Sequence, residues 1–206
     1  DTGAAFFNPA ALAWFERTEL TLGGHVVAPS FEFEDGGSQY PAFGLPLSGG
    51  DGGDAGETAL LPNVYMVHPM DPVVLSLGIT APYGLATEYD PGWKGRYHAI
   101  KTELATVDVN PSVAWAVNDQ FSVAAGVSAQ YADAELTSAI DFASIAMLLG
   151  AAPPGLMPGM LDGAAKIEGD SWAYGFNLGA VYRPMAGTRI GLAYRSKVEH
   201  ELEGDA

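Results

Sequence analysis

From Phe121 to Tyr131 the chain reads FSVAAGVSAQY, and from Trp172 to Tyr182 it reads WAYGFNLGAVY. In both, one set of alternate positions is large and apolar and begins and ends in an aromatic: Phe121, Val123, Ala125, Val127, Ala129 and Tyr131, then Trp172, Tyr174, Phe176, Leu178, Ala180 and Tyr182. The positions between are small or polar: Ser122, Ala124, Gly126, Ser128 and Gln130, then Ala173, Gly175, Asn177, Gly179 and Val181. A period of two is a strand period, because successive side chains leave a strand on opposite faces. Ten residue steps cover about 33 Å of strand, and a tilt of ~40° reduces that to about 25 Å of height. That is the height of the apolar band of a membrane barrel, and the terminal aromatics fall where its two girdles lie.

Composition narrows the field. Of 206 residues, 48% are apolar and 17% charged, and nine basic residues face 25 acidic ones for a net charge of −16. A disordered chain is short of apolar residues. Nucleic-acid binders carry basic patches, and anionic bilayers attract polybasic segments, so neither is a partner expected of this chain. There is no cysteine, hence no disulfide framework, thiol nucleophile or Cys-based zinc site. The opening residues Asp1-Thr2-Gly3 show no signal-peptide pattern, so a leader is expected to be removed or never present. A spanning helix needs about 20 apolar residues. The longest charge-free apolar stretch, residues 145–161, is broken by Pro153, Pro154 and Pro158. Contact with a membrane therefore has to be made as a barrel.

The same alternation predicts seven strands, at about 18–33, 59–68, 73–81, 99–117, 121–137, 169–183 and 188–203. Connections of alternating length join them. Long segments at 34–58, 82–98 and 138–168 alternate with tight turns near Pro69–Pro72, Asn118-Asp119 and Pro184–Gly187, the pattern of long outer loops and short periplasmic turns. If Trp115 and Phe121 both face lipid, their hairpin loop has to hold three or five residues, since an even loop reverses one face. A soluble β-sandwich with one buried face is the competing reading, but its outer face would carry more Lys and Glu than the Ser, Gly, Ala and Asn found here. Single-chain bacterial barrels close with even strand numbers, so seven strands are expected to be part of a larger barrel. Residues 1–17 are not strand-like. Asn8-Pro9-Ala10-Ala11-Leu12 reads as a capped short helical turn, placed where it can plug the lumen.

Motifs for catalysis are missing. His25, His68, His98 and His200 are dispersed, and no GxSxG, P-loop or GxGxxG is present; no enzyme, metal or cofactor is expected. The acidic stretch 51–57 lacks EF-hand spacing and reads as a solvated loop.

Several segments, in order, resemble the FadL/TodX family of outer-membrane transporters for long-chain fatty acids and other hydrophobic compounds. They are Asn8-Pro9-Ala10, Leu61-Pro62-Asn63-Val64-Tyr65-Met66-Val67, Tyr83-Gly84-Leu85-Ala86-Thr87-Glu88-Tyr89, Gly175-Phe176-Asn177-Leu178-Gly179 and Ala193-Tyr194-Arg195-Ser196. The resemblance runs through nearly the whole chain but only the first half of such a protein. It implies an all-β fold, a transmembrane antiparallel barrel of 14 strands that acts as a monomer. Residues 1–17 would form part of an N-terminal hatch around Asn8, Pro9 and Ala10, and residues 18–206 the first half of the wall. It implies capture of a hydrophobic molecule (fatty acid, alkane or aromatic) outside, a lumenal pocket, and sideways exit at an inward kink of the third strand. That kink falls on Pro82, Tyr83 and Gly84, with the hatch motif packed near it.

The outer loop 138–168 carries a candidate capture surface: an apolar helical piece with Phe142, Ile145, Met147, Leu148 and Leu149, then Leu156, Met157, Met160 and Leu161. Exposed apolar patches signal binding and methionines adapt to varied shapes, although the same residues can also form a small loop core. Fatty-acid binders of the family hold the carboxylate with basic lumen residues. Here the end of the fifth strand offers Asp133, Glu135 and Ser138 instead, which leaves Lys166, Arg195 or Lys197, basic residues of the other half of such a barrel, or a neutral substrate. The expected surroundings are outer-membrane lipid and lipopolysaccharide. A structural or adhesive barrel without transport is the alternative.

Overall fold

A computed structural model describes residues 1–205. The strands are β1 Glu19–Val27, β2 Ala59–Met70, β3 Val73–Thr80, β4 Gly84–Glu88, β5 Lys101–Ala116, β6 Phe121–Asp141, β7 Asp162–Met185, β8 Thr188–Arg195 and β9 Glu203–Asp205. They form one antiparallel sheet in the order β1-β2-β3-β5-β6-β7-β8, with β4 also on β5 and β9 also on β7. Since β3 and β4 share a partner, they are two pieces of one wall strand, and β8 and β9 are likewise. The sheet thus has seven wall strands and curls as half a barrel. Among the described residues no helix is long and apolar enough to cross a membrane.

The alternation sorts the faces as the sequence requires. Trp172, Tyr174, Phe176, Leu178 and Tyr182 are exposed on the convex side, with Tyr131 beside Trp172 and Tyr174 beside Ala129. The concave side buries polar residues: Ser76, Thr80, Thr106, Asp108, Asn110, Ser112, Ser122, Ser128, Gln130 and Asn177. An apolar convex face and a polar interior are the reverse of a soluble sheet and match a lipid-facing wall. The interior polar groups pair with each other. Ser76 and Ser112 hydroxyls lie 2.6 Å apart, and Asn110 donates to Asn177 Oδ1 at 3.3 Å. That last contact reaches from β5 to β7 across β6, and Gly126 lies beneath it: a Cβ there would sit 2.3 Å from Asn177 Oδ1.

The β5–β6 hairpin has an odd loop. Val117 N and Asn118 N both donate to Phe121 O, at 2.9 and 3.2 Å, so three residues, 118–120, close it. Trp115 pairs Val123, and Trp115 and Phe121 face the same side. The Asn118 side chain makes the turn by accepting from Gln120 N and Phe121 N, each at 2.8 Å.

Four boundaries differ from the sequence expectation. The first strand stops at Val27, just before Pro29, which cannot donate to a ladder. The hairpin β6–β7 is longer than expected, 21 and 24 residues, and leaves a loop of only 142–161. Residues 138–141 and 162–168, expected within the loop, extend the two strands. Lys101, Glu103, Glu135, Lys166 and Glu168 in fact alternate on the outer face, linked by ion pairs of 2.5–3.5 Å. At ~3.4 Å per residue a 24-residue strand is about 80 Å long, far more than a bilayer needs. The segment 82–98 is not wholly loop, because it contains β4. The seventh strand breaks after Arg195 and resumes at Glu203.

Residues 1–17 fill the concave side. Ala4–Phe7 form one α-helical turn, α1, and Pro9–Leu12 a 3₁₀ turn whose N-cap is Asn8, with Oδ1 accepting from Ala10 N at 3.1 Å. Ala5, Ala10, Leu12 and Ala13 pack with Val67, Val74, Ala114, Ala124 and Val181 into one apolar cluster. The Arg183 guanidinium stacks 3.4 Å above the Trp14 ring.

Candidate functional site

The third wall strand is interrupted on both sides, in two different ways. Toward β5, the last β3 pair is Thr80↔Asp108 and the first β4 pair is Gly84↔Ala105. Four steps on one strand answer three on the other, so Ala81-Pro82-Tyr83 carries one extra residue, as in a β-bulge. Toward β2 no residue is inserted. The ladder ends at Asn63↔Thr80 and the next link is the bridge Gly56↔Thr87. Both strands advance seven residues between those pairs, so they part and rejoin in the same register. Glu88 N donates to Ala55 O at 3.1 Å just past the bridge. Between these limits residues 57–62 and 81–86 make no ladder pairs with each other, a parted stretch of about 20 Å at ~3.3 Å per residue. The sequence placed Pro82-Tyr83-Gly84 at the end of the third strand; instead Pro82 and Tyr83 lie within its break and Gly84 opens β4.

Local chemistry explains the break. Pro82 has no N–H to give a ladder. Tyr83 is held to β5 by one residue: its N–H donates to Thr106 Oγ1 at 3.0 Å, and its carbonyl accepts from Thr106 N at 3.1 Å and Thr106 Oγ1 at 2.7 Å. Gly84 has space beside it, since a Cβ would meet only Leu104 O at 3.5 Å.

Cavities lie on both sides of the break. Inside, Phe6, Pro82, Tyr83, Leu104, Thr106, Ser128, Gln130, Ala132, Arg195, Ser196, Lys197, Val198, His200 and Leu202 line about 510 Å³. Within the wall, about 420 Å³ is lined by Val27, Phe31, Leu60, Leu61, Pro62, Ala81, Gly84, Leu85, Val107 and neighbours, and again by Tyr83, Leu104 and Thr106. Those three residues are the threshold between the two spaces. A third cavity of about 240 Å³ contains Phe6, Phe7, His25, Leu61, Tyr65 and Pro82.

The Asn8-Pro9-Ala10 motif does not lie at the break. Asn8 Nδ2 donates to Ala180 O on β7 and Leu192 O on β8, both at 3.2 Å, and Ser122 Oγ of β6 donates to Ala10 O at 2.8 Å. Gly179 permits this approach, because a Cβ there would stand 2.2 Å from Asn8 Oδ1. The part of the segment that borders the break is Phe6-Phe7, stacked edge to face at 5.1 Å. Arg195 fixes it by donating to Phe6 O at 2.7 Å with its guanidinium 4.6 Å above the Phe6 ring.

Of the basic residues considered for a carboxylate, Arg195 and Lys197 line the inner cavity and Lys166 does not. Arg195 also lies 3.7 Å from Asp108, and Lys197 pairs with Glu199 at 2.5 Å. His200 bridges Ser171 Oγ at 2.8 Å and Gln130 Oε1 at 3.1 Å. Among the described residues no three His, Asp or Glu side chains converge as metal ligands. In the acidic loop, Asp54 is occupied by the amides of Gly56 and Phe31 at 2.9 and 2.8 Å, which hold its carboxyl below the ordinary range.

The outer loops are tied by a knot that the sequence did not announce. Buried Arg96 donates to Asp162 at 2.7 Å, to Ser48 O at 2.6 Å and to the Tyr97 hydroxyl at 2.7 Å, and Tyr97 donates to Asp162 at 2.8 Å. Desolvation opposes the Arg96 charge, but the bond and charge of Asp162 together with Tyr97 and Tyr40 outweigh it and raise its pKa; burial, with the bond to Asp162, pushes the Tyr97 phenol strongly up. Gly159 crosses directly over this knot. It sits at the far end of the loop that begins with α2, Phe142–Leu148. Asp141 caps α2 by accepting from Ser144 N at 3.0 Å. Phe142, Ile145, Leu148, Leu149, Met157, Met160 and Leu161 are exposed; Met147 and Leu156 are half-buried.

Comparison with known proteins places this geometry. The family model of outer membrane transport proteins (OMPP1/FadL/TodX) matches residues 1–206. The chain belongs to this family. Its setting is the bacterial outer membrane, and its kin are transport channels rather than enzymes. It is 33% identical over its whole length to a putative outer membrane protein of Neisseria meningitidis and 30% identical to a long-chain fatty acid transport protein of Escherichia coli, covering 46% of each. A crystal structure of a Pseudomonas aeruginosa FadL homologue matches 98% of the chain and 48% of its own length with a TM-score of 0.85 at 30% identity. The toluene transporter TbuX of Ralstonia pickettii shares the fold, with a TM-score of 0.65 at 23% identity over 96% of this chain and 53% of its own. The chain thus spans about half the length of the relatives it matches.

Proposed function

We propose that the protein is a passive outer-membrane channel for hydrophobic molecules, fatty acids or hydrocarbons, and that they leave sideways through the parted stretch beside the third wall strand. Residues 1–17 act as a hatch that blocks the straight path, and the wall begins at residue 18. The observation that carries this reading is the parting of β2 from β3 and β4 between Asn63↔Thr80 and Gly56↔Thr87, in unchanged register, with an inner and a wall cavity meeting at Tyr83, Leu104 and Thr106. An apolar molecule gains nothing from the aqueous space below the barrel. Passing into the bilayer keeps its surface out of water at ~0.8 kcal/mol per methylene, about 12 kcal/mol for a sixteen-carbon chain.

The exposed apolar residues around α2 take the molecule up from outside. Phe142, Leu148, Leu149, Met157 and Met160 form that surface, held in place by the Arg96 knot. The outer rows of charge at Lys101, Glu103, Glu135, Lys166 and Glu168, just above Tyr131 and Trp172, suit the headgroup level of lipid and lipopolysaccharide. The unit that works in this way is a monomer, since each barrel has its own exit.

The test is Gly84→Phe in the full-length protein. The position has room for a side chain, so the barrel folds, and the ring fills the wall cavity. Uptake of oleate and of toluene, measured separately and in competition, falls at least tenfold for whichever is carried. Uptake equal to wild type rejects the exit route, and no uptake of either compound by the wild-type protein rejects transport in favour of a purely structural barrel.

A further inference from the structure

We infer that Asp108 is a positioning residue that sets the charge preference of the inner cavity, so that the cavity takes an uncharged hydrophobic molecule in preference to a fatty-acid anion. The inference rests on the reading above that the transported molecule occupies this cavity. Among the described residues the cavity is lined by two cations, Arg195 and Lys197, and by no Asp or Glu. In a chain of net charge −16 that lining, taken alone, has the chemistry of a carboxylate receptor. The residue behind the lining cancels it.

Asp108 stands on β5 between Thr80 of β3 and Gln130 of β6. Ser128 Oγ donates to its Oδ1. Its Oδ2 is buried without a hydrogen bond, and so is the hydroxyl of Thr80 beside it. A buried carboxylate with so few donors is stable only against a cation. Among the described residues that cation is Arg195, whose Nη1 lies 3.7 Å from Oδ2. Nη2 of the same guanidinium donates to Phe6 O at 2.7 Å, which fixes it from the other side. The Arg195 side chain is 33% exposed and that of Asp108 1%, so a molecule in the cavity meets the guanidinium and not the carboxylate. It is subject to both charges nonetheless, because a buried charge is screened little. A guanidinium has five N–H donors, and those left over suit a neutral hydroxyl, carbonyl or aromatic face. The net charge that would draw in an anion is already balanced. Lys197 is 80% exposed and pairs with Glu199 at 2.5 Å, a surface pair of small effect.

The experiment measures equilibrium binding of oleate and of oleyl alcohol to the full-length protein in lipid nanodiscs, at a pH where oleate is ionised and with binding to empty nanodiscs subtracted. The two ligands share one chain and differ in the charge of the head group. The wild-type protein binds the alcohol about tenfold more tightly. Asp108→Asn keeps an acceptor for Ser128 and removes the charge, and the ratio of the two dissociation constants shifts about tenfold toward oleate, the effect of one poorly screened charge a few ångströms away. Adding Arg195→Gln returns the ratio to the wild-type value, since the cation an anion would use is gone; a mere change of shape would not behave in this way. An unchanged ratio in Asp108→Asn, or an equal loss for both ligands, overturns the role of Asp108. Should Asp108→Asn not fold, the wild-type ratio decides without a variant: equal affinities or tighter oleate overturn the proposal. The exit route stands or falls separately, on uptake by Gly84→Phe. The predicted binding ratios together with wild-type uptake by Gly84→Phe reject the route and leave the role of Asp108 standing.

Discussion

Replacing Asn8 by alanine should loosen the N-terminal segment by a calculable amount. The side chain makes two hydrogen bonds to the wall, to Ala180 O and Leu192 O at 3.2 Å, and caps the turn Pro9–Leu12 through Ala10 N at 3.1 Å. Two net hydrogen bonds contribute about 2 kcal/mol and a lost cap costs about 1 kcal/mol. A change of about 3 kcal/mol raises the undocked fraction roughly 150-fold, at tenfold per 1.4 kcal/mol. The assay is amide exchange of residues 9–13 in the protein embedded in lipid nanodiscs. Exchange should speed up by about two orders of magnitude while β6 and β7 amides stay protected. Gly179→Ala attacks the same contact from the wall side, placing a methyl 2.2 Å from Asn8 Oδ1. Combined with Asn8→Ala its effect should be smaller than alone, because the clashing atom is gone. An increase below threefold for Asn8→Ala, or strict additivity of the pair, would refute the anchoring role.

Three further outcomes follow from named contacts. Arg96→Met breaks a knot whose guanidinium is buried, leaving the Asp162 carboxylate without its cation and held only by Tyr97; such losses cost about 3 kcal/mol, and limited proteolysis should then cut residues 149–161 faster with the wall intact. Burial raises the Asp141 carboxyl, but hydrogen bonds from Ser144, Gly159 and Ala143 together outweigh it, so its folded pKa lies below the ordinary 3.8. Its contribution is therefore complete above that value and lost as pH falls below it, and the protection of the Ser144 amide relative to its intrinsic exchange rate should fall only in that acid range and stay constant there in Asp141→Ala. Gly126→Ala drives a methyl to 2.3 Å from Asn177 Oδ1 and 2.7 Å from Ser112 Cβ. Overpacking of this kind costs about 1–3 kcal/mol and should lower the temperature at which the barrel loses its compact band in gel electrophoresis.

What could be read from the chain, and what could not, divides by the range of the interaction. Phe121–Tyr131 and Trp172–Tyr182 declare their faces because lipid on one side and a polar lumen on the other act on each residue separately. The odd hairpin loop between Trp115 and Phe121 is legible for the same reason. The top of β6 and β7, residues 138–141 and 162–168, falls in the expected loop although Lys166 and Glu168 continue the alternation of Asp170, Trp172 and Tyr174; that alternation is the usable signal. β4 was missed because Gly84–Glu88 is a strand only by virtue of the register that β5 offers it. The Asn8 contact was assigned to the wrong wall strand, since which strand a short turn meets depends on the curl of the whole sheet. Thr106 and Arg96 give no local sign at all. Their importance comes from partners 23 and 66 residues away.

The path of the molecule through the wall is tested most directly by photolabelling during transport. A fatty acid carrying a diazirine near its methyl end is given to the full-length protein in lipid vesicles, illuminated during uptake, and the labelled residues are mapped. The account predicts labels on Tyr83, Gly84, Leu85 and Leu104, which border the wall cavity, and their loss in Gly84→Phe. Labels concentrated instead on the turn residues Asp119, Gln120, Ala186 and Gly187, with none at the third wall strand, would show passage straight through the barrel and contradict it.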